Sequence, residues 1–498
     1  MSRSMSRRLS LAALCATAAI TSASAAEVET ATPIKHVVVI FQENISFDHY
    51  FGTYPKAENK AGEPAFTAKP GTPSVNGLSH VLLTANPNGV NPMRIDRSEP
   101  ITCDMDHDYG PEQQAYDGGL VDKFVQYAGA TKPGCDPKQV MGYYDGNTVT
   151  ALWNYAQRFA MSDNSFNTQF GPSTPGVLNL FAGTTRNAVG GDVPGLVRDG
   201  WIISDADPQL DGCSGGKNLL LIKNTRHVGD LLDDKDVTWG WFQGGYKPTE
   251  VRPDGSIVCA SATKNAAGKA IRDYSPHHNP LAYYEQNANP KHLPPTSVAM
   301  IGKSDQAKHQ YDLSDFWAAV DAGAMPAVSF LKAPAAQDGH AAYSGPLDEQ
   351  KFLVETVNRL EQRPEWKETA IVIAYDDSDG WYDHVMPPIV RASTFPEDAL
   401  SGNGRCGSTT AIAGGPCGYG PRLPLLVLSP YAKRNFVSSA LTDQTSITRF
   451  IEDNWHLGRL GAGSMDQYAG PIDDLFDFSA TPDPSPIVLD PETGLIKG

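Results

Sequence analysis

Residues 37–44 read VVVIFQEN, an apolar run that ends in the polar pair Glu43 and Asn44. An uninterrupted run of β-branched and aromatic residues predicts a strand buried on both faces, as in a parallel sheet covered by helices. The same pattern recurs at residues 370–375, which are followed by Asp376 and Asp377. Both polar pairs are therefore expected at the carboxyl end of a strand, where ligands collect in open α/β sheets.

Other segments extend this pattern along the chain. Two more buried strands are expected at residues 327–331 and 425–428, and two helices at residues 347–360 and 446–455. Asp443 or Thr445 is predicted to cap the start of the second helix. Alternation of apolar strands with amphipathic helices predicts an α/β fold with a central, largely parallel sheet flanked by helices.

The first 25 residues have the layout of a secretory signal peptide. Three arginines precede an apolar run at residues 9–20, and the small residues 23–25 then offer a cleavage site. The apolar run is too short to span a bilayer, and no later segment has eighteen consecutive apolar residues. We therefore expect an exported protein, periplasmic or secreted, with no stable membrane insertion.

The remaining chain is interpreted as one catalytic domain over residues 26–470. Stretches rich in Gly, Pro, Asn and Asp at about 55–145 and 186–300 are interpreted as long insertions on the sheet. Residues 471–498 are rich in Pro and Asp, so this tail is expected to lie along the surface. No internal repeat is visible.

The chain is acidic, with a formal net charge of −17. Loss of the signal peptide removes three arginines and no acid, which moves the charge to about −20. Such a surface argues against nucleic acid or anionic membrane as a partner held by charge alone. A site that handles phosphate must then create its own positive field from a metal, histidines or a helix start.

Six of the seven cysteines lie beyond the signal peptide. An even number in an exported chain predicts disulfides rather than a thiolate metal site, and no C-x-x-C motif is present. Sequential pairing is the simplest of the fifteen possible connectivities. It joins Cys103 to Cys135, Cys213 to Cys259 and Cys406 to Cys417.

Carboxylate and amide oxygens at two strand ends suit one hard divalent cation, such as Mg²⁺, Ca²⁺ or Mn²⁺, with Zn²⁺ also possible. Each pair taken alone is better interpreted as a turn after a strand, where Asp and Asn are common. The segment 377–380 does not extend to an EF-hand, because Tyr375 and Met386 occupy the positions of the first and last acidic ligands.

The segment GPSTPG at residues 171–176 precedes an apolar run and predicts a helix start. A hydroxyl there, from Ser173 or Thr174, could attack a phosphoryl centre beside backbone amides and the positive end of the helix dipole. The simpler alternative is that this hydroxyl only caps the helix. The segment does not match G-x-S-x-G, since Gly176 comes one place too late, so an esterase triad is not favoured.

Histidines could complete the positive field. Four of them stand beside acidic or turn-forming residues and could donate to phosphate oxygens or protonate a leaving oxygen: His107, His277, His278 and His340. Three others are assigned structural roles: His36, His49 and His384.

Five motifs in order resemble the bacterial phosphoesterase family, which holds acid phosphatases and phospholipases C and belongs to the alkaline phosphatase superfamily. ENISFDHYFG at residues 43–52 resembles its E-N-R-S-F-D-x-x-F-G signature, with Ile45 where arginine is usual. Other similar blocks are GPSTP at 171–175, YDDSDGWYDHV at 375–385, RLPLLVLSP at 422–430 and DQTS at 443–446. The resemblance spans about residues 35–455.

The resemblance implies an alkaline-phosphatase-like fold in which Glu43, Asn44, Asp376 and Asp377 hold one metal ion. It also implies that Ser173 is the nucleophile. The four histidines named above are similar to those that line the family's phosphate pocket.

The expected reaction is hydrolysis of a phosphate monoester through a phosphoserine, as in the acid phosphatase branch, because phospholipases C tend to carry threonine at the position of Ser173. The alternative substrate is a phospholipid, cleaved as a phosphodiester. A non-catalytic binding protein would have lost a ligand or the nucleophile, and none is missing.

Overall fold

The computed structural model describes residues 28–408 and 412–497, so the predicted signal peptide lies outside the described residues. Its centre is a nine-stranded sheet. In chain order its strands are β1 (His36–Gln42), β2 (Ala160–Phe166), β3 (Trp239–Gln243), β4 (Gln310–Asp312), β5 (Val328–Lys332), β6 (Thr369–Tyr375), β7 (Arg422–Leu428), β8 (Phe436–Ser438) and β9 (Thr442–Asp443).

Across the sheet the order is β4-β3-β5-β1-β6-β7-β2-β8, with β9 also paired to β2. All neighbours are parallel except those of β7, which runs antiparallel to both β6 and β2. The predicted largely parallel sheet is therefore confirmed. The four predicted strands all belong to it, although the apolar run at 425–428 does not reveal that its strand is reversed.

The α-helices of the described residues are α1 (Phe47–Phe51), α2 (His80–Thr84), α3 (Tyr109–Tyr116), α4 (Phe124–Tyr127), α5 (Thr150–Arg158), α6 (Ser173–Ala182), α7 (Val228–Asp233), α8 (Leu313–Asp321), α9 (Pro346–Glu361) and α10 (Thr445–Asn454). The two predicted helices are α9 and α10. Proline in the first turn of α9 fits its start, because that position needs no backbone donor.

The predicted cap of α10 is wrong. The residue before the helix is Gln444, which has helical backbone angles and no side-chain cap. The Asp443 carboxylate accepts from the hydroxyls of Thr168 and Thr445. The contact with Thr168 ties the buried start of α10 to the segment that follows β2.

Among the described residues, five two-stranded ribbons lie outside the central sheet. They pair Met93–Arg94 with Gly142–Tyr143, Val197–Arg198 with Trp201–Ile202, Glu250–Val251 with Ile257–Val258, Ala262–Lys264 with Ala270–Arg272, and Arg391–Ala392 with Ile412–Ala413. Four of them lie wholly within the stretches interpreted as insertions. The stretch at 186–300 also contains β3, however, so it contributes a strand to the sheet itself. We keep the single-domain division as a proposal.

All three predicted disulfides are present: Cys103–Cys135, Cys213–Cys259 and Cys406–Cys417. The three bonds follow the sequential pairing, and each lies in a loop-rich region. The tail packs along α9, where the backbone amide of Leu489 donates to the Asn358 side chain and Leu489 is fully buried. Over residues 28–408 and 412–497, no helix combines the length and apolarity needed to cross a membrane.

Candidate active site

The register of β1 against β6 determines where the two polar pairs lie. Gln42 is paired with Tyr375, so the chain leaves both strands at the same edge of the sheet. Carboxylate oxygens of Glu43, Asp376 and Asp377 consequently come within 4.8 Å of one another. All three side chains are buried. The structure therefore brings together the acids that the sequence placed at separate strand ends.

Ser173 faces these acids from the first turn of α6. Its Oγ lies 3.0 Å from Asp377 Oδ2 and 3.2 Å from Glu43 Oε2, and the side chain is buried. The hydroxyl does not cap the helix, whose cap position is Pro172. The prediction of a hydroxyl N-cap here is thus wrong, and the alternative in which Ser173 serves only as a cap is excluded by its orientation.

Thr174 takes a different environment. Its hydroxyl lies 3.4 Å from the Tyr283 hydroxyl, away from the acids, and its backbone amide donates to Asp205 Oδ1 at 2.8 Å. This amide at the helix start is therefore already engaged by a carboxylate. The sequence predicted that backbone amides at the helix start could donate to a phosphoryl oxygen. The Thr174 amide cannot do so while it donates to Asp205.

Asn44 completes the edge with an amide whose donor and acceptor are both buried without a hydrogen bond. Buried polar atoms nearly always have a partner, so this side chain points to a ligand. Its backbone φ of 39° is also unusual for a residue other than glycine, although asparagine tolerates it. Three clustered carboxylates and a free amide oxygen fit a hard divalent cation.

Lys332, at the end of β5, supplies a fixed positive charge on one side of this group. Its Nζ contacts Glu43 Oε1 and lies 2.9 Å from Asp376 Oδ2. Burial lowers the pKa of Lys332, but the carboxylates of Asp376 and Glu43 more than reverse this, so the ammonium stays charged. One ammonium cannot balance three carboxylates. Burial, with the charge of nearby acids, accordingly raises the pKa of Asp376 well above its usual range.

Two of the predicted histidines lie on the Asp377 side. His107 Nδ1 lies 3.5 Å from Asp379 Oδ1, and the rings of His107 and His340 are 5.9 Å apart. Burial lowers the pKa of His107, yet the charges of Asp377 and Asp379 raise it well above the usual range. Burial and the neighbouring His107 lower the pKa of His340 to about 4. The pair thus offers one cationic and one neutral imidazole.

The other two histidines lie on a short 3-10 helix, Pro276–His278. His278 Nδ1 is 3.1 Å from Glu43 Oε1, whereas His277 faces outward with Nδ1 3.6 Å from Asp207 Oδ1. Burial, with the charge of His277, lowers the pKa of His278 well below its usual range. Burial lowers the pKa of His277, but the negative charges of Asp205 and Asp207 outweigh this and raise it above its usual value. This pair repeats the combination of a cationic with a neutral ring.

A cavity of about 580 Å³ opens above these histidines. His107, His277 and His340 line it together with Tyr343, whose ring stacks on His340 at 4.4 Å between centroids. Three of the four predicted histidines therefore line one cavity, whereas His278 is buried against Glu43. The rings of His107 and His277 could hold an anion in this cavity.

Sequence reasoning missed several residues of the site. Lys332 follows the predicted strand at 327–331, so the strand-end argument that selected Glu43 and Asp376 also applies to it. Gln444 donates from Nε2 to the backbone carbonyls of Tyr375 and Asp376 at 3.0 and 2.7 Å. Nothing local in the sequence indicates that contact, because it joins residues far apart in the chain.

Asp338 is another missed residue. It is fully buried, and its Oδ2 makes no hydrogen bond. Its carboxylate lies within 4.8 Å of ligand atoms of Glu43 and His278, which makes a second cluster that could hold a metal. The sequence feature that could have identified Asp338 is its position just after the 327–331 strand and two residues before His340.

Two histidines assigned structural roles have structural contacts. His49 stacks on Trp381 with ring centroids 3.8 Å apart. His384 Nδ1 lies 2.6 Å from Asp48 Oδ2, beside Asp383 and the buried guanidinium of Arg422. This ionic group ties α1 and the loop after β6 to the reversed strand β7, and it lies apart from the cavity.

Comparison with known proteins gives a consistent result. The sequence model of the Phosphoesterase family matches residues 34–458. Phospholipase C A of Mycobacterium tuberculosis is 26% identical over 474 residues, which cover 91% of this chain and 78% of that protein. The non-hemolytic phospholipase C of Burkholderia pseudomallei is 28% identical over 444 residues, or 85% of this chain and 55% of that protein.

The chain thus spans little more than half of the Burkholderia relative. Among solved structures, a protein in the alkaline phosphatase superfamily from Vibrio parahaemolyticus aligns with a TM-score of 0.30 and 11% identity, covering 64% of this chain and 62% of that one.

Proposed function

The chain belongs to the Phosphoesterase family and is a hydrolase of phosphoric esters, and from this premise we propose that it hydrolyses phosphate monoesters through a phosphoserine on Ser173. The observation that carries the proposal is the Ser173 hydroxyl between two buried carboxylates, 3.0 Å from Asp377 and 3.2 Å from Glu43. We propose Glu43, Asn44, Asp376 and Asp377 as metal ligands.

In this mechanism Ser173 Oγ attacks phosphorus in line and passes its proton to the Asp377 carboxylate, which lies 3.0 Å away, while the ester oxygen leaves toward the cavity. A bound divalent cation would lower the pKa of the hydroxyl and neutralise charge on a phosphoryl oxygen. The rings of His107 and His277 orient the anion, and one of the four histidines protonates the leaving oxygen. Water entering through the same cavity then hydrolyses the phosphoserine.

Two features support a monoester as the substrate. A monoester dianion carries more charge than a diester, and the cavity presents two imidazoles, His107 and His277, whose pKa values are raised by the surrounding acids. The serine at position 173 also resembles the acid phosphatase branch. Binding of a dianion by a chain of net charge −17 depends on this local positive field.

The second candidate is a phospholipase C activity. The named relatives are phospholipases C, and the cavity of about 580 Å³ has room for a second substituent on phosphorus. Assays on p-nitrophenyl phosphate and on phosphatidylcholine, each with and without chelator, separate the two. We expect faster, chelator-sensitive release from the monoester. A faster reaction with the phospholipid would replace the first candidate by the second.

Ser173→Ala tests the nucleophile, with the exposed Ser98→Ala as a control. We expect loss of turnover with an unchanged circular dichroism spectrum. Acid quenching during turnover should also trap phosphate on the peptide that contains Ser173. Near-normal activity of Ser173→Ala, or phosphate trapped on another residue, would rule out the assignment.

We also propose that the protein is exported. Three disulfides support this, because they persist in oxidising compartments. Expression of the full chain in a bacterium, followed by fractionation and N-terminal sequencing, should recover a mature protein that begins at Ala26. Recovery of uncleaved protein in the cytoplasm would contradict the proposal.

A further inference from the structure

Glu112 is a buried carboxylate on α3, outside every motif that the sequence singled out. Each of its two oxygens accepts one hydrogen bond. Oε1 accepts from the Ser378 hydroxyl at 2.6 Å, and Oε2 accepts from the backbone amide of Gly171 at 2.9 Å. A single side chain therefore bridges two loops that are more than 200 residues apart in the chain.

Both loops belong to the site. Gly171 stands two residues before Ser173, and Ser378 directly follows Asp377. Ser378 Oγ also accepts from the backbone amide of Gly380, so the bond to Glu112 is part of the turn that ends the acidic loop. Glu112 thus links the loop that carries Ser173 to the loop that carries Asp377.

We propose that Glu112 is a positioning residue that sets the distance between Ser173 and Asp377. The proposal rests on the proposed function of those two residues. Glu112 itself touches neither of them. It acts through the Gly171 amide and the Ser378 hydroxyl, and its removal would free both loops to move apart.

The loop at the Gly171 end of this bridge is closely packed. Gly171 has a φ of 112°, and a Cβ added there would lie 2.9 Å from the Ile203 carbonyl oxygen. The neighbouring Phe170 amide donates to the Cys417 carbonyl at 3.1 Å, so the Glu112 bond acts on a loop whose backbone is already fixed on either side. Burial raises the pKa of Glu112 to about 7, so the desolvated carboxylate depends on its two donors.

The same segment also positions a histidine. α3 begins directly after His107 and Asp108, and the Met105 amide donates to Asp379 Oδ2 at 3.3 Å. A Cβ added at Gly380 would lie 2.5 Å from the Asp106 carbonyl oxygen, so the chain before α3 lies tightly against the acidic loop. Glu112 therefore anchors the element that brings His107 to the cavity.

The test compares Glu112→Ala and Glu112→Gln with wild type on p-nitrophenyl phosphate, with kcat expressed per folded chain. A misplacement of about 1 Å costs about 100-fold in rate, so we expect kcat of Glu112→Ala to fall by about 100-fold while KM changes less than about threefold. Glutamine can accept from Gly171 and donate to Ser378, but these neutral bonds are weaker, so it should recover most of that loss.

Variants of Glu361 and Ser378 separate positioning from general destabilisation. Glu361→Gln and Glu361→Ala alter another buried helical glutamate, which accepts from the Ile487 amide at 3.0 Å, far from the site. They should retain wild-type kcat per folded chain. Ser378→Ala should lower kcat, and combining it with Glu112→Ala should cost less than the product of the two single losses, since both changes break one bridge.

The outcomes are distinct. A Glu112→Ala protein that keeps kcat within about twofold of wild type overturns the positioning role, as does strict additivity with Ser378→Ala. Ser173→Ala measured in parallel tests the proposed function itself. If Ser173→Ala stays active, the nucleophile assignment fails first; if it is inactive while Glu112→Ala is fully active, only the bridge is rejected.

Discussion

Gly176, in the first turns of α6, lies directly against the backbone of Asp376. A Cβ added at Gly176 would stand 2.1 Å from the Asp376 carbonyl oxygen, closer than any real contact allows. The same carbonyl accepts from the Gln444 side chain at 2.7 Å. The helix of the proposed nucleophile therefore packs onto the acidic strand end with no side chain between them. Only glycine, which has no Cβ, fits at position 176 in this packing.

Gly176→Ala should push α6 away from the strand end. Because the clash is with backbone held by Gln444, neither side can yield without moving Ser173 or Asp376. We expect kcat on p-nitrophenyl phosphate to fall by at least about 100-fold. Gly215→Ala, at a glycine whose Cβ would meet nothing within 4 Å, should leave kcat unchanged. Equal activity of both variants would contradict the tight packing.

Asn44→Gly removes the candidate amide ligand while it keeps the backbone, since glycine adopts the φ of 39° without strain. We expect the affinity for Mn²⁺, measured by calorimetry, to fall by about 10-fold or more. The matched control is Asn224→Gly, an exposed asparagine with a φ of 52°. Unchanged Mn²⁺ binding by Asn44→Gly would remove Asn44 from the ligand set.

Arg422→Met should destabilise the fold. The buried guanidinium donates to Asp48 at 3.1 Å and to Asp383 at 3.1 Å. Its loss removes the cation that these two buried carboxylates share and leaves Asp48 paired with His384. Breaking a buried ion pair in this way costs about 3–5 kcal/mol, measured as the free energy of unfolding in a denaturant titration. Arg434→Gln, which loses an exposed contact with Asp483, should cost less than about 1 kcal/mol. Similar losses of unfolding free energy in both variants would contradict the stabilising role of the buried Arg422 contacts.

Glu361→Gln should change the pH dependence of stability. Burial raises the pKa of Glu361 to about 8, whereas in the unfolded chain it titrates near about 4.3. Between these values the folded state binds the extra proton, so stability falls as pH rises through the window. Glutamine has no proton to lose. The variant should therefore melt higher than wild type at about pH 8.5, and the difference should shrink toward about pH 4.5.

The comparison of the two melting curves isolates Glu361, because the other titrating groups are common to both proteins. A variant that is less stable than wild type at about pH 8.5 would show that the carboxylate is stabilised in its charged form.

The core of the fold was predictable because its strands are continuous apolar runs. The strand at 370–375 is detectable without neighbours, since burial on both faces requires apolar residues at every position. β2 was not predicted, because Ser162, Asp163 and Ser165 interrupt its sequence. In the sheet β2 lies between β7 on one side and β8 and β9 on the other, and the Asp163 carboxylate accepts from the Asn76 amide and the Ser439 hydroxyl. The local sequence does not reveal these contacts.

The direction of β7 was equally inaccessible. Its residues 425–428 are as apolar as those of the parallel strands, and hydrophobicity alone does not encode direction. Pairing with β6 and β2 in antiparallel register, together with the ion pairs of Arg422 at its start, is a property of the assembled sheet.

The sequence by itself determined the parallel core and the residue types at two strand ends and one helix start. Local pattern carries these features, because burial and turn chemistry act on each segment separately. Only the tertiary structure placed Ser173 between Glu43 and Asp377, set Lys332 beside Asp376 and joined two loops through Glu112. Those relationships depend on sheet register and on packing between distant segments, which no single stretch of sequence contains.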